Sequence, residues 1–75
     1  MPIELRTHTI EEYLIHNRKH YIRVDHPSWV EYQLEASHIQ LTERSVLLEQ
    51  ANGNVIGTDS PRALLHTIVA RGLRL

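Results

Sequence analysis

The segment WVEYQLE, Trp29 to Glu35, alternates apolar and polar residues, with Val30, Tyr32 and Leu34 on one face and Trp29, Glu31, Gln33 and Glu35 on the other. A strand of this kind is half-buried, so it needs hydrogen-bonded neighbours at its sides and cover on the apolar face only. The rest of the chain supplies both. VLLEQ and NVIGT flank Ala51-Asn52-Gly53, and Asn-Gly between apolar runs is a strong hairpin signal because both residues tolerate positive φ. Val46 to Gln50 and Asn54 to Thr58 are therefore expected to pair antiparallel. Ala36-Ser37 turns the chain into His38 to Leu41, with Ile39 and Leu41 inward, and Tyr21 to Asp25 sets Ile22 and Val24 against Tyr21 and Arg23. The middle of the chain thus reads as a β-meander of about five short strands.

Cover comes from the ends. Ser60 can cap a helix, Pro61 fits its first position, and Leu64, Leu65, Ile68 and Val69 recur at helical spacing before Gly72. A helix over Pro61 to Arg71 follows, with Arg71 at the negative end of the macrodipole and Gly72 free to adopt the left-handed closing conformation. Leu73 and Leu75 then fold back or face a partner. Upstream, Thr9-Ile10-Glu11-Glu12 matches a capping box and predicts a short helix to about Arg18, with Ile10, Tyr13 and Leu14 on one side. The expected fold is α+β: an antiparallel meander with a C-terminal helix, and a short N-terminal one, packed on one face.

Seventy-five residues support a single domain over 1–75. With no cysteine there is no disulfide and no thiolate ligand, which favours a cytoplasmic location and leaves packing or self-association as the sources of stability. MPIELRTHTIEEYLIH is broken by charges every few residues, so it has neither the apolar run of a signal peptide nor a membrane span. Eight Lys+Arg against nine Asp+Glu give a net charge of −1, and no global field draws the chain to nucleic acid or anionic lipid.

One local cluster stands out. His16-Asn17-Arg18-Lys19-His20-Tyr21-Ile22-Arg23, followed by His26 and Trp29, interleaves cations with aromatics as a phosphate-and-stacking surface requires. Arg18, Lys19, His20, Tyr21, Arg23, His26 and Trp29 are the candidate partner-binding residues, with Tyr21, Arg23 and Trp29 expected on the solvent face. Glu31, Glu35 and Glu49 share that face and oppose phosphates; a solvated turn with ordinary ion pairs is the competing reading. His16 and His20 are spaced four apart and His26 could join them, but two neighbouring cations oppose a divalent ion, so no metal or cofactor is expected. Ser60, His66 and Asp59 offer the residue types of a catalytic triad, yet Ser60 is better used as a cap, and the glycines occur singly with turn, strand or cap explanations. The leading expectation is a non-enzymatic binding protein working through a protein interface, as a homodimer or accessory subunit, with Trp29, Tyr21, Leu73 and Leu75 as surplus apolar groups. The alternative is a small nucleic-acid-binding module using Arg18, Lys19 and Arg23.

Overall fold

The computed structural model describes residues 3–75 and has the order α1 (Ile3–His16), β1 (Tyr21–Asp25), β2 (Val30–Leu34), β3 (Ser37–Leu41), β4 (Val46–Gln50), β5 (Val55–Thr58) and α2 (Pro61–Arg71). The five strands form one antiparallel sheet in the order β1-β2-β3-β4-β5. Both helices lie on the same side of it. The fold is the expected α+β meander with helical cover on one face.

The core is the apolar half of the alternation. Val30 and Tyr32 of β2, Ile39 and Leu41 of β3, and Val46 and Leu48 of β4 are buried against Ile10 and Leu14 of α1 and Leu64 and Ile68 of α2. Ser60 accepts the Ala63 amide at 3.1 Å as the N-cap of α2, and Gly72 closes the helix at φ 61°, its amide turned back to Ile68 and Val69. The tail folds back: Leu75 is buried, its oxygen accepts the Ala36 amide at 2.9 Å, and Gln50 Nε2 donates to Arg74 O at 3.1 Å.

Three local expectations are corrected. Thr9 is not a cap but an interior residue of α1, its Oγ1 bonded back to Leu5 O at 3.1 Å, because the helix begins at least six positions earlier, at Ile3, and runs fourteen residues. It ends at His16 rather than Arg18; Arg18 takes the left-handed conformation, φ 55°, and Lys19 N reaches back to Leu14 O at 2.8 Å. At the β4–β5 turn only Gly53 has positive φ, 93°. Gln50 N bonds Asn54 O and Gly53 N bonds Gln50 O, so Ala51-Asn52-Gly53 is a three-residue loop closed by glycine, with Asn52 Oδ1 accepting the Asn54 amide.

Arg6 is a buried cation that the chain's patterning conceals. Its guanidinium donates to Thr42 O at 2.8 Å and Asp59 O at 3.2 Å, tying α1 to the β3–β4 turn and to the entry of α2.

Candidate functional site: the open face of the sheet

The face away from the helices is uncovered, and strand register assigns its residues. One row runs Ile22, Gln33, His38, Glu49, Val55, and the next Val24, Glu31, Gln40, Leu47, Gly57. His26 N donates to Trp29 O at 2.9 Å, closing the β1–β2 hairpin around Pro27-Ser28 and adding His26 and Trp29 below the second row.

The middle of this face is polar and linked. His26 Nε2 lies 3.0 Å from Glu31 Oε1, His38 Nε2 lies 3.6 Å from Glu31 Oε2, and His38 Nδ1 lies 3.5 Å from Glu49 Oε1. Gln33 Nε2 donates to Glu31 Oε2 at 3.2 Å. The His26 hydrogen bond, then the Gln33 bond and the charges of the two histidines, hold the Glu31 carboxyl below its ordinary value. Apolar groups flank the centre: Ile22, 63% exposed, and Val24 on β1; Leu47 and Val55, the latter 53% exposed, on β4 and β5. Trp29 is half-buried by its own hairpin partner, the His26 ring stacking on the indole at a centroid distance of 3.9 Å and 10° between planes.

The sequence-derived patch is divided by this arrangement. Tyr21 and Arg23 do not share the solvent face with Trp29. They are in register with Leu34 and Tyr32, on the helix side, where Glu11 of α1 collects Tyr21 Oη at 3.3 Å, Arg23 Nη1 at 2.6 Å and Tyr32 Oη at 2.7 Å. Arg23 Nε also pairs with Asp25 at 2.9 Å. The physical reason is charge compensation: α1 presents a carboxylate to the edge of the sheet, and the strand turns its cation and phenol toward it. Ile22 and Val24 are thereby placed outward. Burial, and then the Glu11 carboxylate, push the Tyr32 phenol well above its ordinary value.

Arg18, Lys19 and His20 remain together in the exposed α1–β1 turn, but His26 and Trp29 sit at the other end of β1, about 13 Å along the strand at ~3.3 Å per residue. Neither α1 nor the Leu73 to Leu75 tail covers Trp29, while Leu75, Leu73 and Tyr21 are engaged in or against the core instead of projecting as surplus surface. Sequence reasoning placed Glu31 and Glu49 on the outer face but missed their coupling through His38, which appears only once β3 is set between β2 and β4. Glu11 was missed as well; one of three acids in the helix, it carried no sign of three donors waiting on the sheet. His16 ends α1, His20 precedes β1 and His26 follows it, and among the described residues no group of three His, Asp or Glu is arranged to hold a metal ion. No described helix is long and apolar enough to cross a membrane. Comparison with models of protein families, with curated proteins and with solved structures finds no match to this chain.

Proposed function

We propose that this chain is a non-enzymatic binding protein of the cytoplasm that works through the open face of its sheet, and that the occupant of that face is a second copy of the chain. The observation that carries the reading is the placement of Ile22, Val24, Leu47, Val55 and Trp29 on the uncovered side of the sheet. β1 is an edge strand whose apolar residues would satisfy the core equally well from the inner face, yet Ile22 is more than half exposed.

Self-complementarity supports the choice of occupant. A twofold axis along β3, the central strand, exchanges β1 with β5 and β2 with β4 while keeping the rows in place. Ile22 then meets Val55 of the partner subunit, Gln33 meets Glu49 of the partner subunit, and Val24 fills the space above Gly57 of the partner subunit. Five strands about 4.8 Å apart and about 16 Å long give a flat footprint of roughly 400 Å², enlarged by side-chain relief, which is below the ~800 Å² per partner of a standard interface and in the range of weak, transient contacts. Association is accordingly weak and concentration-dependent. Sedimentation velocity tests it: the weight-average mass rises from one chain toward two across the micromolar to millimolar range, and a mass of one chain throughout removes the homodimer and leaves this face to a different protein.

A further inference from the structure

A cleft of about 230 Å³ lies between the α1–β1 turn and the C-terminal segment, lined by Arg18, Lys19, His20, Glu35, Arg74 and Leu75 among others. We propose that it is a binding site for a phosphate group. The structure changes the cation set relative to the sequence cluster: Arg23 leaves it for Glu11 and Asp25, and Arg74, fifty-five positions beyond Lys19, enters it. Among the described residues, Arg18, Lys19 and Arg74 take part in none of the ion pairs. Glu35 lines the same cleft without pairing with any of them. Even when a carboxylate at Leu75 is counted beside Glu35, three permanent cations leave the cleft positive in a chain whose formal net charge is −1.

The cations stand on fixed backbone. Gln50 Nε2 holds Arg74 O and the Ala36 amide holds Leu75 O, while the amides of Arg18 and Lys19 close α1 on Ile15 O and Leu14 O. Arg18 is the only described non-glycine residue with positive φ. Glycine suits that position better for the backbone; an arginine there keeps a guanidinium at the mouth of the cleft. Two guanidinium forks and an ammonium match the charged oxygens of a phosphoryl group. The volume is below the roughly 300–1,000 Å³ of pockets that enclose a whole small molecule, so the cleft takes the oxyanion and leaves the rest of the ligand in solvent. A phosphate ester and a phosphodiester of a nucleic-acid backbone both present that chemistry.

The test is a titration of the ¹⁵N-labelled chain with inorganic phosphate and, separately, with a short single-stranded oligothymidylate, sodium chloride serving as the control. Saturable shifts are expected at the amides of Arg18, Lys19, His20 and Arg74. Arg18→Gly and Arg74→Ala should each weaken binding about tenfold, as the loss of one charge-assisted contact does, while Arg71→Ala, outside the cleft, leaves it unchanged. Arg18→Gly also relieves the backbone, so its melting temperature should hold or rise, and weaker binding in that variant cannot be ascribed to unfolding. Oligothymidylate binding with a log–log salt slope of about −0.7, that of one neutralised single-strand phosphate, assigns the phosphate to a nucleic-acid backbone. Phosphate binding without oligonucleotide binding assigns it to a free ester. Absence of saturable shifts with both probes, or shifts that persist unchanged in Arg18→Gly and Arg74→Ala, overturns the site.

Discussion

His26 and Trp29 face each other across the β1–β2 hairpin with their rings nearly parallel and 3.9 Å apart, and the same imidazole reaches Glu31 at 3.0 Å. The stack fixes the indole on the open face beside the carboxylate–histidine chain. Trp29→Ala should therefore weaken self-association at least tenfold, as truncation of an aromatic interface anchor does, while costing at most about 1 kcal/mol of stability because the ring is outside the core and only partly buried. Sedimentation and thermal melts of the same variant check both halves; a large loss of stability with unchanged association would make Trp29 a structural residue only.

The Glu31 network sets a pH dependence whose sign follows from its shift. The folded carboxyl is held below its ordinary value of 4.5, chiefly by its hydrogen bond to His26. A depressed carboxylate contributes stability that is present above the unfolded value and is lost as pH falls through the folded one. Glu31→Gln should flatten the stability curve on the acid side of about pH 4.5, and it should be less stable than the parent between pH 6 and 8, where the ionised carboxylate contributes in full. Urea titrations at a series of pH values decide it, and an acid limb of unchanged steepness would show that the network does not couple to folding.

Glu11 anchors the covered side. Glu11→Ala leaves the fully buried Tyr32 hydroxyl without its acceptor and Arg23 without one of its carboxylates, which should cost about 1–3 kcal/mol. Adding Tyr32→Phe should recover part of that loss, since a phenyl ring needs no partner. The same phenol makes a second, alkaline prediction. Its folded value is raised, first by burial and then by Glu11, so the stability it contributes is present below the unfolded value of about 10 and declines as pH rises above it. Tyr32→Phe should soften that decline in alkaline melts.

Leu64 and Ile68 are 0% and 3% exposed on the face of α2 that covers the sheet. Leu64→Ala and Ile68→Ala should each cost ~2 to 5 kcal/mol, enough to unfold much of a domain this size. Chemical denaturation measures this directly, and less than about 1 kcal/mol for both would contradict the packing of α2.

The sequence carried the sheet because alternation and turn residues act locally: WVEYQLE sets its own two faces, and Ser60-Pro61 and Gly72 bound α2 by backbone chemistry alone. It concealed the start of α1, since no cap residue marks Ile3 and Thr9-x-x-Glu12 is equally compatible with a helix interior where the hydroxyl bonds back one turn. The phase of β1 was illegible for a different reason. Ile22 and Val24 alternate with Tyr21 and Arg23, and a period of two cannot say which pair faces in. That choice is made by Glu11, ten residues before Tyr21, and by Tyr32 on the neighbouring strand. The division of the basic-aromatic cluster into a cleft at one end of β1 and a stacked ring pair at the other follows from the same long-range register.

The most direct measurement of the open-face interface is an isotope-filtered NOE experiment on a mixture of labelled and unlabelled chains at high concentration. Intermolecular contacts are expected between Ile22 and Val55 methyl groups, and they should vanish in Ile22→Glu while that variant keeps its melting temperature within a few degrees. Intermolecular contacts confined to Leu5, Ile15 and Val69, the exposed apolar residues of the helices, would contradict the proposal, because they would place the self-association on the opposite side of the molecule.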